Sequence, residues 1–301
     1  MAEETPVIRV SPEAGGGPVP QVLGVRVAEA GFSQDLRAVK VVLQRELIRF
    51  GQDRTRMISA LVQPVLFLFV LGTGLSSLTG SSTGGINLRT FMWPGVLATS
   101  TLFTAMFSAM SIVWDREFGF LREMLVAPVR RSSIIIGKAL GGAVVATLQG
   151  CLVLVLGPVV GAPITPLLVI ELIGMLLLLS FMLTALGLVI SARVQQMQSI
   201  MGIMQMLLLP MSFLSGALYP LSGLPAWLNV LTHLNPITYA VWPVRNAVFQ
   251  RLDAPAAAKA ALNPPMTWFG WPVPVWLQLL LVAVLGSIFL AVAVRQFERV
   301  E

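Results

Sequence analysis

Apolar residues fall in six long runs, and each run is nearly free of charge. They cover Ile58–Leu78, Phe91–Val113, Ile134–Val160, Leu167–Ala192, Ser199–Leu218 and Val273–Val294. A helix needs about 20 apolar residues to cross a hydrocarbon core. None of the runs alternates with the two-residue period of a lipid-facing barrel strand. The pattern predicts an all-α membrane protein with six transmembrane helices.

Three stretches between the runs have their own pattern. In Phe32–Phe50 the apolar residues Phe32, Leu36, Val39, Leu43, Leu47 and Phe50 recur at steps of three and four, which is the helical period. Arg37, Lys40, Gln44, Arg45 and Arg49 fill the other faces. A basic amphipathic helix ahead of a first span is expected to lie along the membrane interface, although a soluble helix packed on a partner would show the same pattern. Trp114–Val129 is also amphipathic, with Phe118, Leu121 and Leu125 on one side, and Pro128 is its expected stop. It fits either a solvated connector or a docking helix. In Tyr219–Pro272, Leu224–Leu234 and Ile237–Phe249 are apolar but too short to cross at about 1.5 Å per residue. With Pro220, Pro225, Pro236 and Pro243 punctuating them, they predict a re-entrant helical hairpin. Non-helical backbone at that depth survives only against protein or a wet cavity.

Charge sets the expected orientation. With both termini inside, sixteen of the twenty Lys and Arg residues lie on the inner side. Arg89, Arg245, Arg251 and Lys259 remain outside. Short loops on the cytoplasmic side carry this kind of excess, so a multi-pass inner (cytoplasmic) membrane protein with cytoplasmic termini is expected. Residues 1–31, rich in Pro, Gly and Glu, read as a disordered tail ahead of a six-helix transmembrane domain over 32–301. The start, Met-Ala-Glu-Glu-Thr-Pro, lacks the basic stretch and apolar core of a cleavable leader.

Composition removes several functions. Only 11% of the 301 residues are charged and 56% are hydrophobic. The net charge of +6 is spread over short loops rather than gathered in a patch, so no nucleic-acid partner is expected. Cys151 is the sole cysteine and His233 the sole histidine, which leaves no basis for a metal cluster. Gly137-Lys138 is followed by Ala139 and lacks the upstream glycine of a phosphate loop. No catalytic residue and no cofactor are expected on this chain.

Glu171 is the one acidic residue inside a span. It suits contact with cargo, proton transfer, pairing with Arg245 or Arg251, or a reach to the outer headgroups, and the last is favoured. The fifth run carries Met197, Met201, Met204, Met206 and Met211 with Gln198 and Gln205. Methionine adapts to varied apolar ligands, so Met201, Met204, Gln205 and Glu171 are pathway candidates, with ordinary packing the favoured reading of the methionines. Gly137 with Gly141, and Gly157 with Gly161, have the spacing of close helix contacts.

Two stretches carry a resemblance. In Arg116-Glu117-Phe118-Gly119-Phe120-Leu121-Arg122-Glu123-Met124-Leu125-Val126-Ala127-Pro128-Val129-Arg130, the residues Glu117, Glu123, Leu125, Pro128 and Arg130 keep the positions of a motif of type-2 ATP-binding-cassette exporters. Phe120 and Leu121 depart from its Gly-Thr vicinity. Leu234-Asn235-Pro236-Ile237-Thr238-Tyr239 is similar to the outer N-P-x-x-Y/H element of the same family. With the layout of residues 32–296, the chain resembles the permease subunit of these exporters, closest to the drug-efflux branch. The resemblance implies two permease copies in a homodimer or homologous heterodimer, surrounded by membrane lipids. It also implies a separate cytoplasmic ATPase subunit that uses ATP and Mg. A helix over 115–127, with Arg116, Glu117, Arg122, Glu123, Leu125, Pro128 and Arg130, would couple to that ATPase. Asn235, Pro236 and Tyr239 would belong to an outer gate. The cargo would be an amphiphilic drug-like or lipid-linked molecule. A polysaccharide or glycolipid permease, a lipid-modifying membrane enzyme and an ion-coupled transporter built on Glu171 are the alternatives.

Overall fold

The computed structural model describes residues 32–74, 86–119, 130–219, 224–268 and 270–300. The expected tail, residues 1–31, lies outside them. In chain order the helices are α1 (Phe32–Gln52), α2 (Arg54–Val65), α3 (Leu88–Ala109), α4 (Ser111–Glu117), α5 (Arg131–Leu154), α6 (Pro166–Ser191) and α7 (Met197–Leu214). They continue with α8 (Ala226–Leu234), α9 (Thr238–Arg251), α10 (Ala256–Leu262) and α11 (Val275–Val300). A two-residue antiparallel pair, β1 (Thr267–Trp268) with β2 (Trp271–Pro272), precedes α11.

Among the described residues, six helical stretches are long and apolar enough to span: Met57–Gly74, Leu88–Glu117, Arg131–Leu154, Pro166–Ser191, Met197–Leu214 and Val275–Arg299. The chain is an all-α, multi-pass membrane protein, as the apolar runs predict. The centre is the second span. Its apolar window is 89% buried, against 17% for the first span and 22% for the fifth. Helices α5 and α6 pack on α3 and on each other, α11 lies along α6, and α1 lies along α5. The first and fifth spans therefore keep wide apolar faces uncovered, including Ile58, Leu66 and Val70 on one and Met206 and Phe213 on the other.

Local chemistry explains the ends and breaks. The Asn87 side chain caps α3 by accepting from the Arg89 N–H at 3.1 Å, and Thr165 caps α6 ahead of Pro166. Such caps satisfy amides that a helix leaves unpaired. Pro64 lies inside α2, and a π turn over Leu66–Leu71 follows it. A proline without an N–H removes one rung of the ladder, and a wider turn absorbs the shift.

Several expectations change in detail. The third span stops at Leu154, and Pro158–Val160 form a 3₁₀ turn. Gly157 and Gly161 thus flank a turn instead of sharing a helix face, and Gly161 has φ of 78°. Gly137 and Gly141 do mark a close approach, but the partner is α1. A Cβ on Gly137 would lie 2.8 Å from the Val42 Cβ, and one on Gly141 would lie 3.0 Å from the Glu46 Cβ. The face of α1 that is buried therefore runs through Val42, Glu46 and Phe50, while Leu36, on the apolar stripe expected to meet the membrane interface, is exposed. On the buried face Glu46 reaches a buried cation. Trp114 to Glu117 form the last turns of the second span, which ends at Gly119 with φ of 81°. The helix expected over 115–127 is therefore interrupted there, and its remainder lies outside the described residues. The short paired helices of the hairpin, α8 and α9, occur where Leu224–Leu234 and Ile237–Phe249 are expected.

Gly95 sits where the central span meets the chain after α7. A Cβ there would fall 1.8 Å from the Ala217 carbonyl oxygen. Gly95→Ala is expected to cost at least about 1–3 kcal/mol by overpacking against backbone. Gly174→Ala, where nothing lies within 4 Å, is expected to leave the unfolding temperature unchanged or raise it slightly. Thermal unfolding of the two variants in detergent checks the contrast.

A charged clamp and an uncharged groove as the candidate functional site

Lys138, on the first half of α5, is 2% exposed. A lone ammonium in such a place would lose its charge or destabilise the fold. Its Nζ instead lies 2.5 Å from Asp115 Oδ2 and 3.4 Å from Glu46 Oε1. It also donates to Ser111 Oγ at 3.0 Å. Arg45 completes the group, with Nη2 2.7 Å from Asp115 Oδ2 and 3.5 Å from Glu46 Oε1. Two cations and two carboxylates, from α1, α4 and α5, thus compensate one another. Burial opposes the charge on Arg45, but the Asp115 and Glu46 carboxylates outweigh it and raise its pKa above the ordinary value.

The two residues after Asp115 reach other helices. Arg116 donates to the Val194 carbonyl at 2.9 Å and the Ala192 carbonyl at 3.3 Å. A cation at the C-terminus of α6 satisfies its last carbonyls and its dipole. Glu117 Oε2 accepts from the Met197 N–H at 2.9 Å, at the first turn of α7. An anion at a helix N-terminus is favourable for the same reason. Arg130, where the described chain resumes, meets Asp35 on α1 through its N–H at 3.3 Å and its Nε at 3.4 Å. Its side chain is exposed, so this contact contributes at most about 1 kcal/mol. Arg122, Glu123, Leu125 and Pro128 lie outside the described residues.

At the opposite ends of the spans, the hairpin holds the far end of α7. Asn235 donates from Nδ2 to the Met211 carbonyl at 2.7 Å, and its Oδ1 accepts from Ile237 N–H at 3.1 Å. Pro236 sits between them and favours the extended backbone of Asn235. Tyr239 donates to the His233 carbonyl at 2.9 Å and accepts from Trp268 Nε1 at 3.1 Å. His233 contacts the carbonyls of Asn229 and Thr267. Arg245, 3% exposed, donates to the carbonyls of Gly216 at 2.6 Å and Ala217 at 2.9 Å and lies 4.5 Å over the Phe91 ring. Helix α7 is therefore fastened at both ends and left largely uncovered between them.

A groove of about 470 Å³ opens between the first, second and fifth spans. Ser59, Ala60 and Gln63 form one wall, Ser100, Phe103, Thr104, Phe107 and Met110 the floor, and Trp114, Met197 and Met201 the end nearest the charged clamp. Met197 belongs to both features, since its N–H is the one Glu117 accepts.

Of the four pathway candidates, Met201 lines this groove. Met204 points into the core and is fully buried. Gln205 is exposed and is not part of the lining. Glu171 pairs with Arg251 at 2.8 Å on another side of the bundle, as the pairing alternative has it. Sequence reasoning missed Ser59, Gln63, Ser100 and Thr104. Their signal is polar residues four apart inside apolar runs, which places each pair on one helix face. It also missed Lys138, Asp115 and Glu46 as a unit, because Lys138 entered only as an inner-side charge and in the rejected phosphate-loop pattern.

Comparison with known proteins agrees with this layout. The ABC-2 type transporter family profile matches residues 37–249. The Cyanophora paradoxa protein named transport permease ycf38 is 29% identical over 215 residues, covering 68% of this chain and 72% of that protein. Nodulation protein J of Sinorhizobium fredii is 28% identical, covering 64% and 73%. The Mycobacterium tuberculosis protein named as a probable doxorubicin resistance ABC transporter permease is 26% identical, covering 67% and 73%.

Removing one member of the buried cluster strands the others. Lys138→Met leaves Asp115 and Glu46 facing only Arg45 and is expected to cost about 3–5 kcal/mol. Adding Asp115→Asn in the same chain is expected to recover part of that loss. Denaturation of the single and double variants measures the coupling. ABC-2 permeases work with ATP-binding-cassette subunits, and this chain belongs to the ABC-2 type transporter family as a transport permease subunit.

Proposed function

We propose that the chain is the membrane half of an ATP-driven exporter for amphiphilic cargo in the cytoplasmic membrane. The α1 end of the bundle, with both termini, faces the cytoplasm in this reading, which the excess of Lys and Arg there supports. A separate ATPase subunit consumes ATP and Mg. A second permease copy covers the open faces of α2 and α7.

The carrying observation is the run Asp115, Arg116, Glu117. Three consecutive side chains bind three different parts of the bundle: the α1–α5 pair, the end of α6 and the start of α7. They sit immediately before residues 120–129, which hold most of the stretch that resembles a coupling helix. A displacement of that stretch by an ATPase would pull on all three at once. Helix α7 would carry the displacement to the hairpin, because Asn235 and Arg245 hold its other end. Asn235, Pro236 and Tyr239 act there as an outer gate. An ion-coupled mechanism built on Glu171 is disfavoured by its ion pair with Arg251.

Glu117→Gln weakens the anion at the α7 terminus by about 1 kcal/mol. Co-expressed with its ATPase, it is expected to co-purify as the wild type does and to lose roughly fivefold or more of cargo-stimulated ATP hydrolysis. Wild-type stimulation in both Glu117→Gln and Glu123→Ala would remove this segment from the coupling route. Failure of the chain to associate with any ATPase would remove the exporter reading itself.

A further inference from the structure

Four basic residues lie at the end of the bundle away from the charged clamp: Arg89, Arg245, Arg251 and Lys259. Arg245 is taken by the carbonyls of Gly216 and Ala217. Arg251 is taken by Glu171 and by the Ala247 carbonyl at 3.0 Å. Arg89 has no ion pair among the described residues, and residues 75–88 ahead of it include no charged residue. Its position is nevertheless fixed. A Cβ on Gly72, at the end of the first span, would fall 2.8 Å from Arg89 Cγ. The guanidinium lies 5.9 Å from the centre of the Phe69 ring. A ring face attracts the charge but leaves the in-plane N–H groups free to donate.

Arg89 lines a cavity of about 620 Å³. The cavity lies where the second span begins, at Leu88, and so at the depth of lipid headgroups. Thr90 Oγ1 donates to the Val160 carbonyl at 2.6 Å, which ties the start of α3 to the 3₁₀ turn and holds one wall. The chain after α9 forms another wall and brings in Asp253, an exposed carboxylate that also has no ion pair among the described residues. Arg251 shares this wall, but Glu171 already balances its charge. The cavity therefore presents one uncompensated cation and one uncompensated anion that do not pair with each other. An occupant carrying one anion alone would satisfy Arg89 and be repelled by Asp253.

Two further features narrow the occupant. No aromatic ring lines the cavity, so it lacks the cage that recognises a quaternary ammonium. A primary ammonium needs no cage, because its N–H groups donate directly to a carboxylate. Val159, on the cavity wall, and Val155, one turn deeper, are both exposed. They continue the site as an apolar surface on the side of the bundle, where acyl chains fit and a soluble ligand gains nothing.

We propose that this cavity holds the headgroup of a zwitterionic phospholipid with a primary ammonium, drawn from the leaflet away from the charged clamp. The phosphate meets the Arg89 guanidinium, whose paired donors match its oxygens. The ammonium donates to Asp253, and the acyl chains lie over Val155 and Val159. The lipid is a resident ligand and not cargo, so its binding is independent of the exporter reading.

Native mass spectrometry of the full chain in detergent, titrated with dioleoyl phosphatidylethanolamine, phosphatidylglycerol or phosphatidylcholine, reads the affinity for each lipid. Phosphatidylethanolamine is expected to bind about tenfold more tightly than the other two, the ratio that one charge-assisted hydrogen bond supplies. Arg89→Gln is expected to erase that preference. Asp253→Asn, on an exposed segment, is expected to lower phosphatidylethanolamine to the level of phosphatidylcholine and to leave phosphatidylcholine as in the wild type. Unchanged thermal unfolding in lipid-free detergent shows that each variant is folded. Equal binding of the three lipids, tightest binding of phosphatidylglycerol, or a preference that survives Asp253→Asn would overturn the inference. Displacement of the lipid by millimolar water-soluble phosphoethanolamine would overturn the lipid as occupant in favour of the free zwitterion.

Discussion

Burial of Lys138 constrains much of the bundle. A nearly inaccessible ammonium needs a carboxylate within a few ångströms, and it needs one on every side that water has left. Asp115 meets it from the end of the second span and Glu46 from α1. Two other facts follow from that pairing. Helix α1 must turn Glu46 inward, and Gly137 and Gly141 must stay without side chains to let it approach. The approach of α1 to α5 thus places Glu46 on the buried face beside Val42 and Phe50, where it satisfies one cation.

Asp115 in turn fixes the register of the residues beside it. Once its carboxylate is held by Lys138 and Arg45, Arg116 and Glu117 emerge on other sides of the same helical turn. They find the two helix termini whose partial charges oppose theirs. A helix end therefore becomes a junction through ordinary charge pairing, with no special backbone. The same logic recurs at the hairpin end, where Arg245 reaches the carbonyls that follow α7. The fifth span is thus fixed at both termini and along one face through Ile200, Met204 and Leu208, while its other face stays uncovered.

How much of this was legible in the sequence differs by feature. The six spans were, because lipid imposes a length and an apolarity that no other solvent demands. The hairpin was, because Pro236 and Pro243 punctuate runs too short to cross. The groove was not singled out, although Ser59 with Gln63 and Ser100 with Thr104 carry the four-residue spacing of a polar face. Met204 is core, as the favoured packing reading of the methionines expects, while Met201 lines the groove, because composition says nothing about which way each residue points. Lys138, near the start of the third apolar run, reads as a topological marker, and only tertiary packing shows that residues 92 and 23 positions away in the chain neutralise it.

The balance of the buried cluster has an electrical consequence. Lys138 and Arg45 carry two positive charges, and Asp115 and Glu46 carry two negative ones. A membrane potential does work of about 2.3 kcal/mol per elementary charge for each 100 mV crossed. A cluster that travels as one neutral body crosses no net charge, so the field neither drives nor resists its displacement. Any displacement of this cluster as a unit is then insensitive to the membrane potential.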